Sequence, residues 1–186
     1  MAAVKNGKVI DTTMGLTPLE GLMMGTRSGD LDPAVVIHLI ELGHSTKEVD
    51  TILNKKSGLY GVGGIGSGDM RDNINAAAAG NEQAELALKM FARRVIKYIG
   101  SYYVLLGGAD AVVFTGGVGE YSVPMRKRIM SGITALGIEL DDKRNEACRR
   151  DHLHRRQQVQ SDCHAHQRGA DDRHEHRRHA RAEEIR

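Results

Sequence analysis

Arg27 stands in Gly25-Thr26-Arg27-Ser28-Gly29-Asp30, between two glycine-punctuated stretches of small residues. A guanidinium is a planar, permanently charged fork whose donors match carboxylate or phosphate oxygens two at a time. Held on a tight loop it presents a cation to an anion; the plainer alternative is a surface arginine paired with Asp30 or Asp32. A second candidate is Asp69-Met70-Arg71 in the loop SGDMRD, whose plainer reading is a solvated Asp/Arg turn capping the helix that begins near Asp72. A third is Thr115-Gly116-Gly117-Val118-Gly119-Glu120. Its glycines let backbone amides approach a ligand, and a following helix N-terminus favours anions. The run is neither a P-loop nor G-x-G-x-x-G, and a tight strand-to-helix turn without a ligand is the alternative.

The elements that must position these residues follow from local signals. Thr17 and Glu20 have the spacing of a capping box with Pro18 at the first helical position, which predicts a short helix over 18–24 leading into the Arg27 loop. Asp32-Pro33 reads as the start of a helix over 33–42, followed by another over 46–56. Asn6-Gly7 predicts a hairpin over 4–13 with a type I′ turn. The glycine-rich stretch 61–73 interrupts the helices, and an amphipathic helix follows over about 81–106. In it Leu86, Met90, Val95, Ile99, Tyr102 and Leu106 recur near helical period as core or subunit interface. Residues 109–114 read as an apolar strand entering the 115–120 loop, then a helix over 123–136 and a strand over 137–140. Alternating strands and helices indicate an α/β domain.

Composition divides the chain. The net charge of +2 averages two unlike regions, since seven of the nine histidines lie after residue 150, where large apolar side chains almost vanish. Residues 1–150 read as globular and 151–186 as a disordered His/Arg-rich tail. Two cysteines, Cys148 and Cys163, make no disulfide framework and suit a reducing compartment. No apolar run reaches the length of a membrane span and the first residues lack a signal-peptide core, so a cytoplasmic protein is expected.

The segments TPLEG and MGTRSGD, with FTGGVGE further on, closely resemble the acetate and butyrate kinase family, within the sugar kinase, Hsc70 and actin superfamily. The resemblance covers about residues 2–148 and implies the C-terminal portion of an actin-like (ribonuclease H-like) ATPase fold. It implies phosphoryl transfer between ATP and acetate, giving ADP and acetyl phosphate with Mg²⁺ between the phosphates. By resemblance Arg27 stabilises the phosphoryl group in flight, and Pro18 lines the pocket for the acetate methyl. Asp69, Met70 and Arg71 sit against the adenosine ribose, and Gly117, Val118, Gly119, Glu120 and Tyr121 line up with the nucleotide-contacting run, where Tyr121 replaces a common asparagine. A homodimer built through this half is the family's assembly. Propionate or butyrate kinase is the alternative within the class, and a non-catalytic nucleotide-binding remnant the alternative outside it.

Acetate kinases run to about twice this length, so the resemblance also implies that a first domain and a His-Leu-Gly-Asn-Gly phosphate loop stand ahead of the part represented here, and that this chain alone is inactive. The tail resembles the family's ending read in a shifted frame. Codons GCC CAC CAA CGA GGA GCT GAT GAT CGC for Ala165 onward, begun one nucleotide later, encode Pro-Thr-Asn-Glu-Glu-Leu-Met-Ile, which includes the family's PTNEEL motif with its magnesium-contacting glutamate. That reading places a one-nucleotide slip near 148–151 and leaves no metal-binding residue in the chain as written. It also accounts for the His/Cys spacings and eight arginines of the tail without a zinc site or a nucleic-acid partner.

Overall fold

The structure is a computed structural model that describes residues 1–147 and the backbone of residues 166–167. The frame slip, both cysteines and nearly all of the tail lie outside the described residues. Two strands open the chain, β1 (Ala2–Lys5) and β2 (Lys8–Thr12), antiparallel with a register shift between Ala3 and Val4. Asn6 and Gly7 both take positive φ, 53° and 75°, so the turn is the type I′ expected of Asn-Gly.

No helix forms over 18–24. The Thr17 hydroxyl accepts from Leu19 N–H in a local turn, and Gly21 sits at φ 95°, where a right-handed helix cannot continue. A side chain at Gly21 would collide with the Thr13 carbonyl oxygen, so packing against the hairpin's exit overrides the capping signal. The capping box is made elsewhere, at Ser45 and Glu48, which exchange side-chain and backbone bonds at the start of α2 (Thr46–Lys55). Ahead of it α1 (Pro33–Glu41) begins as expected, with the Asp32 carboxylate accepting from Ala34 N–H at 2.9 Å.

The glycine-rich stretch is partly helical: α3 (Gly58–Gly63) precedes α4 (Met70–Ala78), which is capped by Asp69. The spine is α5 (Glu82–Leu106), capped by Asn81 and ended by the left-handed Gly107. It packs against α3, α4, β1 and α7 (Val123–Ser131). Val95, Ile99 and Tyr102 are buried as expected, whereas Leu86 and Met90 are exposed. The first half of α5 buries Ala84, Ala87, Leu88 and Ala92 instead, and these mostly small residues let α3 and α4 approach closely. Met23, Leu59, Met70, Met125, Ile129 and Met130 complete the core around it.

Residues 109–114 are neither helix nor laddered strand, because no neighbouring strand lies beside them among the described residues. A six-residue helix α6 (Gly116–Tyr121) follows, then α7, which stops at Ser131 rather than continuing to 136. The Ile96 side chain of α5 packs directly against Gly132, and a single 3-10 turn covers Thr134–Leu136. Strand β3 (Ile138–Glu139) and α8 (Asp142–Ala147) follow. The backbone of β4 (His166–Gln167), within the stretch read as disordered, pairs antiparallel with β3. No helix among the described residues is long and apolar enough to cross a membrane.

Candidate functional site

The Arg27 loop is built from helix ends. The last carbonyls of α2 and the first amides of α3 have no partner within their own helices. The loop supplies those partners: Ser28 N–H donates to Leu53 O at 2.9 Å, and the Thr26 hydroxyl to Asn54 O at 2.9 Å. In return Leu59 N–H donates to Met24 O at 3.0 Å and Tyr60 N–H to Gly25 O at 2.8 Å. Ser57 N–H donates to Thr26 O at 3.0 Å, and the loop closes on itself through Met24 N–H to Arg27 O at 3.1 Å. Gly58 lies directly against the Met24 carbonyl, leaving no room for a side chain. Arg27 thus rises from a backbone fixed on both sides.

The Arg27 side chain is half-buried, and its Nη1 donates to the Met24 sulfur at 3.7 Å. Among the described residues no carboxylate pairs with it. Asp32 is occupied as the cap of α1, and Asp30 by α5. Arg94 Nη1 donates to Asp30 Oδ2 at 2.8 Å, Tyr98 OH to the same oxygen at 2.6 Å, and Gly21 N–H to Asp30 Oδ1 at 2.7 Å. Burial pushes the Asp30 carboxyl up, but the bonds from Tyr98 and Gly21 and the Arg94 cation outweigh it and hold the group below its ordinary range. Burial and then the Asp30 charge push the Tyr98 phenol up to about 12. The sequence signal for Arg94 and Tyr98 is their i,i+4 spacing, which puts them on one helix face.

The second candidate lies against the first. Gly25 and Gly68 pack backbone to backbone, which brings the Asp69 loop beside the Arg27 loop. Asp69 caps α4 by accepting from Arg71 N–H at 2.8 Å, and also takes Arg71 Nη2 at 2.7 Å. The side-chain and backbone bonds from Arg71 hold the Asp69 carboxyl down at about 2. Arg71 is 84% exposed, whereas the Met70 side chain is buried in the core and offers only its backbone to a ligand. Asn73, fully buried, fixes this loop by donating to Ser67 O at 3.1 Å and Asp69 O at 2.9 Å. Pro18 is exposed in the turn that replaces the expected helix.

Gly117, Val118, Gly119, Glu120 and Tyr121 form α6 rather than an open loop. A Cβ at Gly117 would meet nothing within 4 Å, so the chain itself leaves the space above it clear. Glu120 folds back to accept from Gly116 N–H at 3.1 Å. The end of α6 is held by Arg126, which is 2% exposed. Its Nη1 donates to Gly119 O at 2.8 Å and Glu120 O at 2.7 Å, while Nε and Nη2 donate to the side-chain and backbone oxygens of Asn145 at 2.7 and 2.8 Å. No sequence signal separates Arg126 from Lys127 and Arg128, the two cations that follow it in α7. The two halves of the site are therefore held by different elements, the Arg27 and Asp69 loops by α2, α3 and α4, and the 117–121 run by α7 and α8.

An apolar cavity of about 520 Å³ touches the third group at Thr115, Val118 and Gly119, but neither Arg27 nor residues 69–71 line it. Among the described residues no cluster of three or more His, Cys, Asp or Glu could hold a metal ion.

A family model described as the acetokinase family matches residues 1–164. The chain is 58% identical over 147 residues to the acetate kinase of Clostridium novyi and 54% identical to that of Methanosarcina thermophila. Each alignment covers 78% of this chain and 36% of the relative, so the chain spans about a third of the length of these relatives. Its fold matches a Porphyromonas gingivalis acetate kinase with TM-score 0.75 at 47% identity, over 78% of this chain and 36% of that one. A Francisella tularensis propionate kinase matches with TM-score 0.75 at 46% identity, covering 38% of its chain. Motifs, fold and extended identity agree, and the chain belongs to the acetokinase family.

Proposed function

We propose that this chain forms the C-terminal part of an acetate kinase active centre, transferring a phosphoryl group between ATP and acetate. The observation that carries this reading is Arg27: a cation without an acidic partner among the described residues, on a backbone fastened by two helix ends. Phosphoryl transfer passes through a loose transition state whose equatorial oxygens need fixed positive charge, and Arg27 is the residue assigned that role. Because its loop is already ordered, little reorganisation is required when charge develops.

Asp69 and Arg71 are assigned to the ribose side of the nucleotide, together with the Met70 backbone. Gly117, Val118, Gly119, Glu120 and Tyr121 are assigned to the adenosine; the clear space above Gly117 fits an approaching ring, which a branched side chain would obstruct. Pro18 is assigned to the acetate methyl. Magnesium, when bound, supplies charge neutralisation between the phosphates; no residue described here is assigned to it. We place the protein in the cytoplasm and its assembly as a homodimer. Residues 1–150 are the functional unit, and residues 151–186 are assigned no part in it.

The test is a chimera in which residues 1–147 replace the corresponding segment of Methanosarcina thermophila acetate kinase. It is expected to make acetyl phosphate from ATP, acetate and Mg²⁺, trapped as the hydroxamate. Arg27→Ala in the chimera is expected to lower kcat by roughly a hundredfold or more with little change in the KM for ATP. An effect on kcat within a factor of two would make Arg27 a structural loop residue. The equally good match to a propionate kinase makes propionate the second acceptor to assay.

A further inference from the structure

The tip of the Arg27 loop is fastened to helix ends, but its neck is held by side chains. Gly21 and Asp30 meet across that neck: Gly21 N–H donates to Asp30 Oδ1 at 2.7 Å, and Asp30 N–H donates to Gly21 O at 3.0 Å. From α5, Arg94 reaches Asp30 twice, with Nη1 on Oδ2 at 2.8 Å and Nη2 on the backbone oxygen at 2.9 Å. Tyr98 OH donates to Oδ2 at 2.6 Å, and its ring leans on the buried Tyr102 one turn further along α5, with centroids 5.9 Å apart. Pro18 stands three residues ahead of Gly21, and Arg27 three residues ahead of Asp30. The neck therefore sets the spacing between the residue assigned to the acceptor and the cation assigned to the phosphoryl group. With three donors on its two carboxylate oxygens, Asp30 is also kept from pairing with Arg27, its neighbour in the same loop.

We propose that Arg94 and Tyr98 are positioning residues for phosphoryl transfer: by engaging Asp30 they pin the neck of the loop to α5 and hold the acid away from Arg27. The inference rests on the role assigned to Arg27 above. Neither residue touches the reacting group; both act through the placement and the charge of the guanidinium. A cation that must meet developing charge is sensitive to small displacements, and an error of about 1 Å can cost on the order of a hundredfold in rate. A carboxylate released beside it would also neutralise part of the charge that the transition state needs. The 117–121 run is held by α7 and α8 instead, through Arg126 and Asn145, so adenosine binding does not depend on this cluster.

The experiment is a double-mutant cycle in the Methanosarcina thermophila chimera. Tyr98→Phe deletes one donor, and Arg94→Lys keeps the charge but loses the fork that spans the carboxylate and the backbone oxygen. Each is expected to lower kcat about tenfold with little change in the KM for ATP. In an Arg27→Ala background each is expected to change kcat by less than about twofold, because the group they position is gone. Equal losses in both backgrounds would show that the cluster supports the fold alone, and they overturn the proposal, as does an unchanged kcat in the single variants. A second measurement does not depend on activity. In the 186-residue chain both substitutions are expected to speed hydrogen exchange at the Gly21 and Asp30 amides and to leave the Tyr60 amide, at the tip, protected. Unchanged exchange at Gly21 and Asp30 overturns the proposal and leaves the Arg27 assignment standing. An Arg27→Ala chimera with unaltered kcat overturns that assignment, and the proposal with it.

Discussion

Gly25 and Gly68 face each other so closely that a Cβ on Gly25 would lie 2.8 Å from the Gly68 carbonyl oxygen, and one on Gly68 would lie 2.5 Å from the Gly25 oxygen. Both obstacles are backbone atoms, which cannot rotate away as a side chain can. This contact fixes the distance between the loop that carries Arg27 and the loop that carries Asp69.

Gly68→Ala is therefore expected to separate the two loops and destabilise the domain by about 1–3 kcal/mol, the usual cost of forcing a methyl into a filled space. Thermal unfolding of the variant gives the stability. Hydrogen exchange at Tyr60, whose amide depends on Gly25 O, shows whether the damage is local.

The Arg71 bonds that hold Asp69 down at about 2 imply an acid-side dependence. A depressed folded-state value means that the Asp69 contribution is present above the ordinary carboxylate range, near pH 4, and is lost as pH falls through about 2. Amide protection in the first turn of α4 is expected to decline across that window. Asp69→Asn keeps a capping oxygen but carries no charge, so its protection should be independent of pH there. A variant that declines in parallel with the parent would assign the dependence to another carboxylate.

Tyr98→Phe removes one charge-assisted bond to Asp30 and is expected to cost on the order of 1.5 kcal/mol in thermal or denaturant unfolding. The alkaline side provides an independent check. A phenol raised to about 12 contributes stability that is fully present below its unfolded value near 10 and is lost as pH climbs through 12. The parent should therefore lose stability relative to Tyr98→Phe between about pH 10 and 12.

Arg126→Met fills much of the same volume but leaves the Gly119 and Glu120 carbonyls and Asn145 without their donor. A loss of about 3 kcal/mol is expected, as for other buried polar networks deprived of one member. Lysine should not rescue it, because one ammonium cannot span both the α6 carbonyls and Asn145. Rescue by Arg126→Lys to within about 0.5 kcal/mol, the spread of ordinary surface substitutions, would show the guanidinium fork to be dispensable.

The sequence by itself determined what depends on neighbours a few residues apart: the Asn6-Gly7 turn, the Asp32-Pro33 start of α1, the span of α5 and the family motifs around Arg27 and Gly117. Capping and turn chemistry act within one turn of chain, so their signals survive in the linear order. Where a local signal met a distant constraint, the tertiary structure decided. The Thr17/Glu20 box is not made because Gly21 must fit under the Thr13 carbonyl, and α7 stops where Ile96 of α5 occupies the space beside Gly132. Residues 109–114 have strand composition, but a ladder is a property of two segments, and among the described residues no second one lies alongside. Arg126 reads as an ordinary helix cation until folding places Asn145 and the end of α6 around it. The contact of Gly25 with Gly68 joins loops more than forty residues apart, and only close packing of α3 and α4 on the small residues of α5 makes it.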